Sequence, residues 1–210
     1  MQQDERREHW ENIYSKKQLT EVSWYQQTPV TSLEFLDMFK VKKDAKIIDI
    51  GGGDSLFVDH LLVQGYTNVT VLDISNTAIK RAQKRLGKDA LKVNWIVEDA
   101  ASFEPKEKYD FWHDRAAFHF LTTKEDITHY LNSLHQGLSE DGHLVIGTFS
   151  ENGPTKCSGI EIQQYSEERL HELLDKHFKK EKCLIIDHIT PAQKIQNFIF
   201  CGFKKKAVAS

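Results

Sequence analysis

Ile47-Ile48-Asp49-Ile50-Gly51-Gly52-Gly53-Asp54 sets an apolar strand ending in an acid against a glycine loop. Val71-Leu72-Asp73-Ile74 follows as a second apolar strand that also ends in an acid. Gly51 and Asp73 lie 22 positions apart. That is close to the ~20-residue offset at which an acid in a βαβ unit meets the hydroxyls of a ribose. Strand, glycine loop, helix, strand and acid together predict a nucleoside site at the carboxyl edge of a parallel sheet.

Charge narrows the choice of nucleoside. The pattern Gly51-x-Gly53-x-x-Leu56 lacks the third glycine that lets a helix pack closely on the strand in dinucleotide sites. A pyrophosphate also needs the bare, positive N-terminus of the following helix. Here that helix is expected to open with Asp54-Ser55, where Asp54 would cap the free N–H groups and repel a diphosphate. With Asp49 before the loop the pocket is acidic. It suits a cofactor carrying positive charge, and S-adenosylmethionine, with its sulfonium and α-amino groups, meets that description.

Working outward, the chain reads as alternating strands and helices, an α/β fold. Strands are expected near 46–50, 67–74, 92–98, 108–114, 143–149, 183–189 and 197–204, the first five being apolar runs suited to burial on both faces of a parallel sheet. Helical patterns lie between them. Phe57, Val58, Leu61 and Leu62 share a face, with Gly65 as the stop; Ser75 caps the next helix, which runs to Gly87. Thr123 opens a third, expected to reach Leu138, and Ser166 a fourth, expected to reach Phe178. The segment Ser150–Tyr165 is expected to be an irregular loop, and the start of the chain to about Phe39 stands outside the alternation. Both would lie at the carboxyl edge and wall a substrate pocket, with Trp10, Tyr14, Trp24 and Tyr25 as its aromatic surface or as core packing.

The resemblance of the chain is to the class I S-adenosylmethionine-dependent methyltransferases, from about Trp10 to the last strand. The matching pieces are Ile48–Gly53, Leu72-Asp73-Ile74-Ser75, Val97-Glu98-Asp99-Ala100, Tyr109–Arg115 and Leu138–Ile146. The resemblance implies a three-layer Rossmann-like fold with a seven-stranded, mostly parallel sheet and an antiparallel last strand. It implies one domain over 1–210, with a helical lid at 1–40 and the core at 41–205. It also implies that Asp49, Gly51, Gly52 and Gly53 receive the methionine end, Asp73 the ribose hydroxyls, and Asp99 the adenine side. Ile74, Ala100 and His113, beside these acids, complete the expected cofactor contacts.

The acceptor is sought after the fourth strand, in His113-Asp114-Arg115-Ala116-Ala117-Phe118-His119. Asp114, Arg115 and His119 are the candidate catalytic residues. The other readings are a structural ion pair for Asp114 and Arg115 and a packing role for His119. Trp24, Tyr25 and Cys157 are the candidate acceptor contacts; Lys156 beside Cys157 would favour a thiolate, against the alternative of an inert loop cysteine. The Asp-Arg pair resembles that of thiopurine and thiol methyltransferases, whereas Trp10-x-x-x-Tyr14 with Ser23-Trp24-Tyr25 resembles small lysine methyltransferases. The expected activity is therefore methyl transfer to a small thiol or amine. A protein lysine is the alternative acceptor, and a non-catalytic cofactor-binding module the alternative of another class.

Composition excludes several other roles. The 210 residues carry a net charge of −3 with both signs interspersed, which leaves no nucleic-acid or anionic-membrane footprint. No apolar run approaches the ~18 residues of a membrane span, and the polar start offers no signal sequence. His and Cys are not clustered at metal-ligand spacing, so no metal is expected. Three cysteines without paired spacing predict a reduced, cytoplasmic protein.

Overall fold

The computed structural model describes residues 3–207; Met1, Gln2 and positions 208–210, at the ends of the expected domain, lie outside them. Two helices come first, α1 (Gln3–Lys16) and α2 (Val30–Met38). The alternation then runs β1 (Lys46–Ile50), α3 (Phe57–Val63), β2 (Asn68–Asp73), α4 (Asn76–Leu86), β3 (Val93–Val97) and β4 (Tyr109–Arg115). It continues through α5 (Lys124–Gly137), β5 (Leu138–Phe149), the short pair β6 (Lys156–Cys157) and β7 (Ile160–Glu161), α6 (Glu167–Leu174), β8 (Phe178–Ile189) and β9 (Ile195–Lys205).

The main sheet has the order β3-β2-β1-β4-β5-β9-β8, with β9 alone antiparallel to its neighbours. Strand order reverses between β1 and β4, and in open α/β sheets the crevice at such a reversal is where ligands bind. Phe35, Leu36, Phe57, Val58 and Leu61 of α2 and α3 pack one face, and Tyr130, Leu134, Leu170 and Leu174 of α5 and α6 pack the other. Helices on both faces force the central strands to be apolar throughout, which is why Ile47, Ile48 and Ile50 are all buried.

The helix starts follow local chemistry. Ser75, Thr123 and Ser166 each accept a hydrogen bond from the backbone N–H three residues on, satisfying a donor the helix leaves open. Two ends differ from the periodicity. The helix opened by Thr123 stops at Gly137, where Pro105 and Trp112 leave no room for a Cβ, and Leu138 instead opens β5 opposite Tyr109. Phe178 likewise opens β8 rather than closing α6. The expected irregular loop at 150–165 contains the β6–β7 hairpin.

Asp54 does not cap the helix after the glycine loop. The helix begins three residues later, at Phe57, and Asp54 forms ion pairs with Arg81 and Arg85 of α4. The cysteines also depart from expectation: β8–β9 register sets Cys183 opposite Cys201, and the two are joined in a disulfide, leaving Cys157 free.

Candidate active site

The glycine loop is shaped by contacts that exclude side chains. Gly51 has φ +65°, and a Cβ on it would lie 2.6 Å from Ala117 Cβ. Gly53 has φ +38°, and its Cβ would lie 2.5 Å from Asp73 Oδ2 and 3.0 Å from the Tyr14 hydroxyl. Gly52 is tied back by its N–H to Leu72 O, and its Cα faces the Asp49 carboxylate. Asp49 is buried, and its Oδ1 is 2.6 Å from His113 Nδ1; His113 Nε2 is 2.8 Å from Ser32 Oγ. His113 therefore sits behind the loop, packed against Phe57, and does not line the cavity as a cofactor contact would. It orients Asp49 instead.

Asp73 lies at the end of β2, 4% exposed, with Oδ1 accepting from Ser75 N at 2.8 Å. Burial, followed by the nearby charges of Asp49, Glu11 and Asp54, pushes its carboxyl up to about 7, against the pull of the Ser75 N–H. Glu11 reaches across from α1 to accept from the Asn76 and Thr77 N–H groups at the start of α4. Asp99 accepts from Ala101 N through Oδ1 and from Arg6 Nε through Oδ2, at 2.9 and 2.8 Å. Arg6 also bridges to Asp126 at 3.0 Å.

Gly51, Asp73, Asp99 and Arg6 open into one cavity at the carboxyl edge of the sheet. Of the expected cofactor contacts Gly51, Asp73, Ile74, Asp99 and Ala100 line one half, with Leu72 beside them, whereas Asp49, Gly52 and Gly53 lie behind the lining. The other half is lined by Trp10, Tyr14, Trp24, Phe120, Phe149 and Phe198, with Arg115, Cys157 and Gln196 as polar members. Trp10 meets Phe120 edge-on at 4.9 Å and Trp24 at 5.8 Å, so the N-terminal segment closes this chamber with an aromatic wall.

The expected catalytic trio is not brought together. Successive residues of a strand point to opposite faces, so Asp114 and Arg115 part company. Asp114 is fully buried; Oδ1 accepts from Ala117 N and Phe118 N, and Oδ2 from the Tyr130 hydroxyl at 2.7 Å. Burial lifts its carboxyl to about 6, while Tyr130 and the two N–H groups hold it down. It braces the turn after β4 and does not line the cavity. His119 is also buried outside the cavity, its Nδ1 accepting from Phe149 N; burial and then the Arg115 charge lower it to about 3, so it is neutral.

Arg115 does reach the cavity. Its Nη1 donates to Trp24 O at 2.8 Å, and its guanidinium lies 5.4 Å from the Phe198 ring. Nε and Nη2 are shut off from solvent and have no hydrogen-bond partner among the described residues. Trp24 and Cys157 line the chamber as expected, and burial raises the Cys157 thiol, which opposes the thiolate reading. Tyr25 instead faces a separate depression with Gln27, His188 and Pro191. Arg6, Phe120, Phe149, Gln196 and Phe198 went unread in the sequence. They carry no motif and are gathered only by the sheet order and by the docking of α1.

Comparison with known proteins agrees with this geometry. Residues 47–142 match the family model of a methyltransferase domain. The chain is 27% identical to EEF1A lysine methyltransferase 2 of Mus musculus over 157 residues, 67% of this chain and 64% of that one. It is 30% identical to malonyl-[acyl-carrier protein] O-methyltransferase 1 of Ilyobacter polytropus over 109 residues, 51% of this chain and 39% of that one. The chain thus spans less than two thirds of the length of these relatives. Among solved structures, an S-adenosylmethionine-dependent methyltransferase from Anabaena variabilis superimposes with a TM-score of 0.74 at 15% identity, covering 95% of each chain. The N-methyltransferase NodS of Bradyrhizobium japonicum, in complex with S-adenosylhomocysteine, gives 0.71 at 16% identity, covering 94% of this chain and 98% of that one.

Fold, glycine loop and spaced acids define a Rossmann-like site for a nucleoside cofactor. The chain matches a methyltransferase-domain model over residues 47–142 and shares its fold with S-adenosylmethionine-dependent methyltransferases, whose cofactor is S-adenosylmethionine. The residues present fit that molecule: the Gly51–Gly53 cradle has no space to spare for a Cβ, and the cavity beside it is bounded by acids. Among the described residues, no helix is long and apolar enough to cross a membrane.

Proposed function

We propose that this chain transfers a methyl group from S-adenosylmethionine to a small-molecule acceptor. The observation that carries the reading is the continuity of the cavity, which joins the Gly51–Asp73–Asp99 pocket to an enclosed aromatic chamber. When bound, the cofactor supplies an electrophilic methyl on a sulfonium, so the work of the protein is positioning and exclusion of water. Gly51–Gly53 and Asp49 hold the methionine end, with His113 keeping Asp49 in place. Asp73 receives the ribose hydroxyls, and Ile74, Asp99 and Ala100 the adenine side. The first 40 residues act as a lid over the 41–205 core, fastened by Arg6 to Asp99 and by Glu11 to the start of α4.

The acceptor half offers Arg115, Cys157 and Gln196 but no ionised carboxylate and no histidine. An acceptor must therefore arrive in its nucleophilic form, and Arg115 favours an anion. A thiol would enter as its thiolate; an amine would enter neutral.

A protein lysine is the second reading, favoured by the likeness to the EEF1A lysine methyltransferases. A tritiated-methyl assay on small thiols, small amines and a whole-cell protein extract tests the choice. Label in small molecules supports the proposal, and label confined to protein overturns it in favour of lysine. Binding of S-adenosylhomocysteine without any transfer supports a non-catalytic module. We place the protein in the cytoplasm, against which the Cys183–Cys201 disulfide stands, and the redox state of that pair in cells tests the setting.

A further inference from the structure

We propose that the acceptor is a small thiol or amine that also carries one carboxylate on a flat apolar body, the carboxylate held side-on by Nε and Nη2 of Arg115 while the thiolate or neutral amine takes the methyl from the sulfonium. This rests on the methyltransferase reading above and deepens it. Three donors of the guanidinium matter. Nη1 is spent on Trp24 O at 2.8 Å, which fixes the orientation of the plane. Nε and Nη2 form the opposite, side-on edge, and neither has a partner among the described residues although both are cut off from solvent. A buried charge with two unpaired donors is costly to keep, and an anion that displaces the side chains now covering them would relieve it.

Geometry selects the anion. Two parallel N–H groups match the two oxygens of a carboxylate, whereas a thiolate presents one atom and leaves a donor open. A phosphate would bring a second charge, and the other cation among the described residues lining the cavity, Arg6, is already paired with Asp99 and Asp126. Gln196 also has an unpartnered buried Oε1; rotation of its amide turns an NH2 toward an anion at the same place. Asp49 is the carboxylate whose charge Arg115 feels most, yet it is bound to His113 and no carboxylate is hydrogen-bonded to the fork among the described residues. Asp114 points to the other side of β4, His119 is neutral, and the Cys157 thiol is held protonated by burial. Trp24, Phe149 and Phe198 give flat surfaces for the rest of the molecule.

The test is calorimetry on protein saturated with S-adenosylhomocysteine. The probes are naphthoate, cinnamate and hydrocinnamate, each beside its primary amide, which keeps the shape and loses the charge. At least one acid should bind about tenfold or more tightly than its amide, the difference expected of a charge-assisted bidentate contact. Arg115→Gln should erase that preference while S-adenosylhomocysteine affinity stays within about threefold, and Arg115→Lys, which keeps the charge without the fork, should lose most of it. Equal binding of every acid and its amide by the wild-type protein overturns the proposal, whatever the variants do.

It is also overturned if Arg115→Gln weakens S-adenosylhomocysteine about tenfold but leaves methylthioadenosine unchanged, because the fork then serves the carboxylate of the cofactor. Failure of the wild-type protein to bind S-adenosylhomocysteine overturns the methyltransferase reading instead. In that event the comparison of acid with amide on unloaded protein still decides the fork.

Discussion

Substituting Asn for Asp73 should make the cofactor-free protein more stable and its cofactor binding weaker. Asn is nearly the same shape, and its Oδ1 can still accept from Ser75 N. What it removes is the charge. The Asp73 carboxyl titrates near 7 in the folded protein against 3.8 for the free side chain, chiefly because it is buried. Between those pH values the folded chain holds a proton that the unfolded chain has released. Stability therefore falls as pH rises from about 4 to 7 and is level above that.

A displacement of about three pH units corresponds to roughly 4 kcal/mol. The carboxyl lines a cavity where water relieves part of this, so we expect about 2 kcal/mol. For a chain of this length that is a gain of about 4–8 °C in Tm for Asp73→Asn at pH 8, shrinking to about a third at pH 5. Scanning calorimetry of both proteins across that range reads it directly. Over the same range the affinity for S-adenosylhomocysteine should drop at least about tenfold, since the ribose loses a charge-assisted partner. A variant that melts with or below the wild type at pH 8, or whose difference in Tm ignores pH, refutes the buried-carboxylate reasoning. Unchanged affinity refutes the ribose role.

Gly53→Val should abolish S-adenosylhomocysteine binding in a protein that remains folded by circular dichroism, because φ is +38° and the added carbons enter the space beside Asp73; wild-type affinity would show that the loop does not meet the ligand. Asp114→Ala should cost about 2–4 kcal/mol in a denaturant titration, since Tyr130 and two backbone N–H groups lose their acceptor together; full stability with lost activity would instead return Asp114 to the acceptor site. Thiol titration in denaturant should find one reactive cysteine before reduction and all three after it, and three at the outset would remove the Cys183–Cys201 bond. Arg6→Ala should speed proteolytic cleavage within α1 by weakening its hold on Asp99 and Asp126, measured by limited digestion with and without S-adenosylhomocysteine. Equal cleavage rates would mean that the lid is held elsewhere.

What could be read from the chain alone was whatever depends on near neighbours. The loop from Asp49 to Gly53, its distance to Asp73, the caps at Ser75, Thr123 and Ser166 and the apolar strands are all local, since backbone geometry and hydrogen-bond demand act over a few residues. The cofactor half of the cavity followed from these. The acceptor half did not, because its members meet only once strands are ordered and registered. Asp114 and Arg115 are adjacent in sequence, yet strand alternation sends one under α5 and the other into the chamber. Asp54 looked like a cap until α4 brought Arg85, 31 residues away, against it. Arg6 finds Asp99 across 93 residues, and Cys183 finds Cys201 through the register of one hairpin. Such contacts depend on how far the sheet brings distant segments together, and local propensity carries no record of that distance.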